Sequence, residues 1–357
     1  MSCRWGFPGQ RALALAVLAG ALALAGCAGE YPQSVFRPVT DFAVTLDNLF
    51  THVFWWTIVI LVVVEVILVF VILRYRQRPG QPQPKQIHGN ALLEIVWTII
   101  PALIVVFIAV PTIRTIFDTY EPAGEDALIV EAVAHQWWWQ FHYPEYGITT
   151  ANQLYLPVGR QVEIRLRSND VLHNFWVPRL GGKRYNYPQR VRPGEEPRYN
   201  FLVFTIDEAG EYPGQCAEFC GVAHALMRMM VVAQPEPEFQ AWVQQMRAPV
   251  EPAEGSLEAQ GREIFLRSTC IACHTIEGTT ARGVLGPNLT RFGTRWSIGA
   301  GAADNTLENI AQWIRDPQSI KPGALMPGTT QGAAGMPPTG LSDQEVAAVA
   351  AYLHSLR

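Results

Sequence analysis

The sequence predicts a multidomain membrane protein with three parts: a two-helix transmembrane hairpin, an all-β domain and an all-α domain. Two long apolar runs carry one charge each, a stretch of short alternating runs follows, and the C-terminal part has helical periodicity. A chain of 357 residues is too long for a single core. It has 49% hydrophobic and 16% charged residues, and this charged fraction is low for a soluble protein. A net charge of −4 and the lack of a basic cluster argue against nucleic-acid binding.

The N-terminus has the pattern of a secretion signal. Arg4 and Arg11 flank the start of an apolar stretch that ends in small residues, so residues 1–26 are predicted to be a signal peptide. The stretch closes on "LAGC", which resembles the lipobox of bacterial lipoproteins and predicts a lipid on Cys27. An ordinary signal peptide that contains a cysteine is the alternative. Residues 27–52 are expected to lie outside the membrane, in the periplasm.

Residues 53–113 are predicted to form the transmembrane hairpin. The apolar runs cover residues 53–73 and 91–113, and about 20 apolar residues are enough to span a bilayer. The loop between them, "RYRQRPGQPQPKQIHGN", has four Lys/Arg and no acid, so it is expected to face the cytoplasm. Both chain termini would then lie on the outer face of the bacterial inner membrane.

Two further domains are predicted beyond the hairpin. Residues 114–246 are predicted to form an antiparallel β-sandwich or small barrel. Apolar and polar residues alternate in runs such as "QVEIRLRS", and these runs are broken by Gly, Pro and Asn. Residues 247–256, "RAPVEPAEGS", are a Pro/Glu-rich linker. Residues 257–357 are predicted to be helical, with Ser342 and Glu345 as the capping box of the last helix.

One loop carries the residues of a metal site. The stretch "GQCAEFCGVAHALM" holds two cysteines, a histidine and a methionine, and a further histidine ends an earlier strand. This order is typical of a cupredoxin-like site, because soft sulfur and imidazole ligands select copper. Two thiolates four positions apart can bridge a pair of coppers. A disulfide and a zinc site are the alternatives, although zinc would not use the methionine. The candidate ligands are His173, Cys216, Cys220, His224 and Met227.

A second cofactor is predicted in the C-terminal domain. The stretch "CIACHTIEGT" contains C-x-x-C-H, the attachment pattern of c-type haem. Cys270 and Cys273 would form the thioethers, and His274 would bind the iron. A thioredoxin-like redox pair is the alternative, but the adjacent histidine and the lack of a βαβ pattern argue against it. The sixth ligand is expected to be a downstream methionine, Met326 or Met336.

Residues 27–246 resemble subunit II of the haem–copper cytochrome c oxidases. The resemblance rests on "HGNALLEIVWTIIPALIVVFIAVPT", "HQWWWQF", "VLHNFWVP" and "CAEFCGVAHALM". It implies a cupredoxin-like domain whose five candidate ligands hold the dinuclear copper centre of this family, CuA. It also implies that Glu218 offers its backbone carbonyl to copper and its carboxylate to a magnesium ion shared with subunit I.

Other roles follow from the resemblance alone. Trp137 matches the aromatic residue through which electrons reach CuA, and Glu94 matches the carboxylate at the mouth of a proton channel of subunit I. Without the family, a tryptophan cluster in a β-domain would be taken for core or interface. Residues 257–357 resemble the class I cytochrome c domains fused to this subunit. There Met326 matches the axial position, Met336 is the alternative, and Pro287 matches the proline that orients the proximal histidine.

The chain departs from the family pattern at three positions. Tyr185 replaces an acid and Gln189 replaces a glycine in "YNYPQR", and Trp138 stands where tyrosine is usual. Glycine suits a turn with positive φ, so Gln189 implies either a different turn or a strained one. The usual docking surface for a soluble cytochrome is therefore in doubt, whereas the copper ligands are unchanged.

The resemblance implies a proton-translocating terminal oxidase in which electrons pass from a donor through haem c and CuA to the oxygen-reducing site of subunit I. The implied partners are subunits I and III and a cytochrome c or bc1-type donor. Copper loading of exported cysteines further requires a copper chaperone and a thiol reductase. The alternatives are the CuA subunit of a nitric oxide reductase and an electron-carrying or copper-handling membrane lipoprotein without a catalytic partner. A quinol oxidase subunit would need neither copper ligands nor haem.

Overall fold

The computed structural model describes residues 31–83, 85–189, 194 and 198–357. The predicted signal peptide and the lipid candidate Cys27 lie outside the described residues. Along the described chain, a helical hairpin is followed by a two-sheet β-domain and then by a small helical domain.

The hairpin consists of helices α1 (Asp41–Arg74) and α2 (Ala91–Asp118), both long and apolar enough to cross a membrane. Helix α1 begins well before the predicted span. The Thr40 hydroxyl caps it by accepting from the Ala43 N–H, and Phe42 is buried against the β-domain. The first turns of α1 therefore belong to the extramembrane core, which a search for apolar runs does not detect.

A histidine joins the two spans at a proline. Pro111 lies inside α2 and has no N–H, so the carbonyl of Phe107 loses its intrahelical donor. His52 Nε2 of α1 lies 3.2 Å from that carbonyl oxygen and donates to it. The freed backbone group is thus satisfied by the neighbouring helix, as a membrane environment requires.

Among the described residues, the β-domain contains ten strands in two sheets of five. The first sheet has the order β3-β2-β1-β5-β8 and the second β4-β10-β9-β6-β7. Some strands alternate and bury one face; β5, for example, buries every second residue. The strands are β1 (Leu128–His135), β2 (Trp138–Tyr143), β3 (Ile148–Ala151), β4 (Gln153–Pro157), β5 (Gln161–Ser168), β6 (His173–Trp176), β7 (Arg184–Asn186), β8 (Asn200–Thr205), β9 (Gly210–Cys216) and β10 (Arg228–Gln234).

The prediction of a sandwich is confirmed, but the prediction that it is purely antiparallel is wrong. Strands β1 and β5 pair in parallel, and so do β4 and β10. Alternating hydrophobicity reports which face of a strand is buried and carries no information about its direction. Helix α3 (Glu236–Arg247) then covers one end of the domain, where Trp242 stacks on Tyr155 at a centroid distance of 4.6 Å.

The C-terminal domain is helical apart from a two-residue ribbon, β11 (Ser297–Ile298) with β12 (Ala303–Asp304). The capping box predicted at Ser342 and Glu345 is present at the start of the last helix. This domain has a core of its own. Its helices are α4 (Leu257–Arg267), α5 (Cys270–Cys273), α6 (Leu307–Arg315), α7 (Pro317–Ile320) and α8 (Asp343–Ser355).

Helices α4 and α8 cross at a glycine. A Cβ atom on Gly261 would lie 1.9 Å from the backbone oxygen of Ala348. A backbone atom cannot rotate away, so the crossing requires glycine at this position.

We expect Gly261→Ala to lower the free energy of unfolding of the C-terminal domain by about 2–3 kcal/mol, because the added methyl group forces the two helices apart. Denaturant unfolding of the full chain, followed by circular dichroism, measures the change. Gln260→Ala, one residue away on the exposed side of α4, is the control and should unfold like the wild type. Equal stability of both variants would contradict the close crossing.

Candidate metal centre and haem pocket

The pairing of β9 with β10 assembles the sulfur ligands of the predicted metal site. Cys216 ends β9 and Met227 immediately precedes β10, and the Cys216 N–H donates to the Met227 carbonyl at 2.9 Å. Strand β6 adds His173, because Phe175 pairs with Cys216 across the β6–β9 ladder. The loop between β9 and β10 places Cys220 next to Cys216.

The five predicted ligands converge. His173, Cys216, Cys220 and Met227 are buried, and His224 is half-buried. Cys216 Sγ lies 3.7 Å from His173 Nδ1, and Cys220 Sγ lies 3.5 Å from His224 Nδ1 and 3.8 Å from Met227 Sδ. The ligand atoms of His173, Cys216 and Cys220 all lie within 4.8 Å of one another. The cluster is compact enough to surround metal ions.

The two cysteines are free thiols rather than a disulfide. Their Sγ atoms lie 3.8 Å apart, far beyond the roughly 2 Å of an S–S bond. The hydrogen bond with Cys220 is the main cause that lowers the pKa of Cys216, while the same contact and burial raise the pKa of Cys220. Both sulfurs are thus available to a metal, which would displace their protons on binding.

Asp170 fixes the orientation of His173. Its Oδ1 accepts from His173 Nε2 at 2.8 Å, which leaves Nδ1 facing Cys216 as the free ligand atom. Burial opposes the charged forms, but this hydrogen bond raises the pKa of His173 and lowers that of Asp170. The sequence reading did not single out Asp170, although it lies three residues before the predicted ligand in "DVLH".

The donor set fits copper. Two thiol sulfurs, a thioether and two imidazole nitrogens are soft or borderline ligands, and the thioether has no role in a zinc site. The Glu218 carbonyl oxygen lies 3.2 Å from Cys216 Sγ, where it can offer a further ligand. A copper pair is therefore compatible with every side chain that points into the cluster.

The two departures in "YNYPQR" have structural consequences. The Tyr185 hydroxyl hydrogen-bonds to Glu218, and this contact raises the pKa of Tyr185. Among the described residues, positive φ outside glycine is confined to Asn152, Ala300 and Ala334, so the Gln189 backbone does not adopt the strained left-handed conformation. The Gln189 side-chain oxygen instead accepts from the Arg198 N–H at 2.7 Å.

The C-x-x-C-H motif lies on the short helix α5 at the wall of a cavity. His274 Nδ1 donates to the Pro287 carbonyl at 2.8 Å, so its Nε2 is the free ligand atom. Burial lowers the pKa of His274, which favours the neutral imidazole that iron binds. A Cβ on Gly286 would lie 2.6 Å from the imidazole ring, so glycine is required beside it. These contacts fit a c-type haem.

Both candidate axial methionines line the same cavity as the two cysteines and His274. Met326 follows α7, and Met336 lies in the loop before α8. Met336 Sδ is 3.8 Å from Cys273 Sγ. The structure therefore brings both methionines to the haem pocket.

The far wall of this cavity belongs to the β-domain. Trp137 and Trp138 line it, together with residues of the C-terminal domain. The indole N–H of Trp137 donates to the Cys220 carbonyl at 3.0 Å, whereas Trp138 stacks on His135 with ring centroids 4.1 Å apart. The Trp137 side chain thus lies between the haem pocket and the cluster of candidate metal ligands.

Glu94 lies on the membrane helix α2. It is in the first turn of α2, where its carboxylate accepts from the Asn90 N–H at 3.3 Å. This contact gives Glu94 a role at the helix start.

Known protein families match three segments of the chain. Residues 38–115 match the transmembrane domain of cytochrome c oxidase subunit II, residues 147–234 its periplasmic domain, and residues 258–357 the cytochrome c family. Cytochrome c oxidase subunit 2 of Alkalihalophilus pseudofirmus is 38% identical over 94% of this chain and 94% of its own length. The chain belongs to the cytochrome c oxidase subunit II family. As such it is part of a haem–copper oxidase, a respiratory oxidoreductase, with two membrane spans and copper and haem domains.

The chain is also similar, over part of its length, to two other proteins. Quinol oxidase subunit 2 of Bacillus spizizenii is 35% identical over 65% of this chain and 71% of its own length. The crystal structure of the periplasmic domain of cytochrome oxidase subunit II from Bradyrhizobium japonicum is 26% identical, with 35% of this chain and 96% of that chain covered and a TM-score of 0.31.

We expect Asp170→Asn to weaken copper binding by about 10–100-fold, because a neutral amide accepts less strongly from His173 and no longer fixes its ring. Competition between the full chain and a copper chelator measures the affinity. Asp207→Asn, at an exposed position outside the cluster, is the matched control. Wild-type affinity in Asp170→Asn would mean that the carboxylate does not support the ligand.

Proposed function

We propose that this chain is the subunit of a cytochrome c oxidase that accepts electrons at a covalently bound haem c, passes them to a dinuclear copper centre, and delivers them to the oxygen-reducing site in subunit I. The observation that carries the proposal is the position of Trp137. Its indole bonds to the Cys220 carbonyl, and the same residue lines the cavity that contains Cys273 and His274. A single side chain thus spans the gap between the two sites.

The copper pair would supply a one-electron centre that changes little in geometry when it is reduced. His173 and His224 would supply nitrogen to it, Met227 a thioether sulfur, and the two cysteines thiolate sulfur. The buried wall around them excludes water. Glu218 offers its carbonyl oxygen to copper and its carboxylate to the magnesium ion that we place at the boundary with subunit I; there the Tyr185 hydroxyl stands where an acid is usual.

Several residues of the chain would hold the haem. Cys270 and Cys273 would form thioethers with its vinyl groups, His274 would bind the iron, and the Pro287 carbonyl holds the imidazole in place. Met326 would supply the second iron ligand, with Met336 as the alternative.

The remaining assignments concern the complex and the membrane. We place the loop between α1 and α2 in the cytoplasm and the metal domains in the periplasm, with Cys27 lipidated. Subunit III, a cytochrome c or bc1-type donor, a copper chaperone and a thiol reductase complete the set of partners. Glu94 lies at the cytoplasmic start of α2, where it would form the mouth of a proton channel of subunit I.

Two of the competing functions fit the contacts less well. A quinol oxidase subunit would need neither the thiol–imidazole cluster nor the C-x-x-C-H cavity. A lipoprotein without a catalytic partner would need only a lipid anchor and not two spans. A nitric oxide reductase would use the same electron path with another partner, so only the copurified subunit separates it from an oxidase.

Purification of the complex from its membrane tests the function. We expect a copper pair that shares one unpaired electron in EPR, one covalently attached haem, and a copurified multi-span subunit that reduces oxygen. A single zinc ion, a sulfur–sulfur bond between Cys216 and Cys220, or a partner that reduces nitric oxide in place of oxygen would contradict the proposal.

We expect Trp137→Phe to slow electron transfer from haem c to copper by about tenfold or more, because phenylalanine lacks the N–H that bonds to the Cys220 carbonyl. Transient absorption after rapid reduction of the haem measures the rate in the purified complex. Trp138→Phe removes an indole from the same wall without breaking that bond, so its effect should be smaller. An equal loss in both variants, or none in Trp137→Phe, would argue against this path.

A pair of variants decides the axial ligand. We expect Met326→Leu to convert the haem to a high-spin state and to lower its reduction potential, since thioether ligation favours the reduced iron. Met336→Leu should keep the low-spin spectrum. The opposite pattern would assign the axial position to Met336. Visible spectra and a redox titration of the full chain provide both readouts.

A further inference from the structure

Lys321 is a buried cation between the two extramembrane domains. It follows α7 and is 3% exposed. Its Nζ donates to three backbone carbonyl oxygens, those of Trp137, Leu226 and Gly299, each at 2.7 Å. An ammonium group has three N–H donors, so these three acceptors saturate it.

The three acceptors belong to three different parts of the proposed electron path. Trp137 is the residue that bonds to the Cys220 carbonyl, and Leu226 immediately precedes the ligand Met227. Gly299 lies in the turn after β11 of the haem domain. The Lys321 side chain therefore links the C-terminal domain both to Trp137 and to the loop that carries the candidate copper ligands.

Burial of a lysine at this position costs free energy, because the ammonium group loses its hydration. Burial lowers the pKa of Lys321 to about 7, and the described residues offer it no carboxylate within salt-bridge distance. An apolar side chain of the same length would pack there without loss of hydration. The three carbonyls and the nearby Cys220 sulfur compensate the ammonium, and two of the three carbonyls belong to the other domain. The lysine is therefore matched to the docked arrangement.

We propose that Lys321 is a positioning residue that locks the haem domain onto the copper domain in the arrangement that transfers electrons. The inference rests on the proposed function, because it concerns the same pair of sites. Lys321 touches neither metal and acts through the backbone of Trp137 and of the copper loop. Without it, the haem domain would stay tethered by the linker but would sample undocked positions.

Two backbone amides report directly on docking. The Arg228 N–H of the β-domain donates to the Ala300 carbonyl at 3.0 Å, and the Trp296 N–H of the haem domain donates to the Gln153 side-chain oxygen at 3.3 Å. Both bonds cross the boundary between the domains, and neither involves Lys321. Hydrogen exchange at these amides therefore measures docking independently of electron transfer.

The test compares Lys321→Met and Lys321→Gln with the wild type in the purified complex. Methionine keeps an unbranched stem without a donor, and glutamine keeps two N–H donors with a shorter reach. We expect Lys321→Met to speed exchange at Arg228 and Trp296 by about tenfold or more, and Lys321→Gln to lie between it and the wild type. The rate from haem c to copper should fall by about tenfold or more in Lys321→Met, with unchanged haem and copper spectra. Lys183→Met, which removes an exposed lysine of the β-domain, should match the wild type in every readout.

The outcomes separate this inference from the function on which it rests. If the wild-type complex transfers electrons from haem to copper but Lys321→Met keeps wild-type exchange and rate, the positioning role is wrong and the proposed function stands. If both Lys321 variants lose haem attachment or the melting transition of the haem domain, Lys321 belongs to the haem fold and the inference is overturned. If the wild type has no haem-to-copper transfer, the proposed function fails, and altered exchange in Lys321→Met would then still report a docking role.

Discussion

The antiparallel pairing of β9 with β10 is the constraint on which the rest of the extramembrane structure depends. The ladder fixes Cys216 opposite Met227, and the segment between them must return over the ends of the strands. That return places Cys220 and His224 above the same point. Because β6 pairs with the other edge of β9, His173 is brought to the cluster from a distant part of the sequence. The metal site is therefore a property of the sheet edge and is rigid because strands support it on both sides.

Asp170 extends this rigidity outward from the ligands. It accepts from the His173 ring on one side and from the Gln136 N–H, at 2.6 Å, on the other. Gln136 in turn bonds through its side chain to the Cys220 carbonyl, which also accepts from the Trp137 indole. The loop that presents the tryptophan wall and the loop that carries the thiols are thus parts of one hydrogen-bond network. A change in either loop is therefore expected to shift the positions of the metal ligands.

The haem domain completes the structure by using a surface that the β-domain has already formed. Its cavity closes against Trp137 and Trp138, and Trp137 also donates to the Cys220 carbonyl in the candidate metal cluster. Arg291, itself buried, reinforces the contact away from the metals by donating to the carbonyls of Gln245 and Ala248, where α3 runs into the linker. A covalent tether alone would raise the local concentration of the haem domain. The polar contacts add a defined orientation.

The sequence was sufficient to predict the three parts of the chain, the two membrane spans, the donor types of the candidate metal cluster and the haem attachment motif. These features are local: length, apolar periodicity and the spacing of cysteines and histidines can be seen along the chain. The folded structure was needed to show that β1 and β5 run in parallel, that α1 begins inside the extramembrane core, and that Asp170 and Lys321 contact residues of the sites. Strand direction, burial of a helix start and the partners of a charged side chain depend on residues far apart in sequence. No pattern within a short window contains them, because the physical interactions that favour them exist only once the chain has folded.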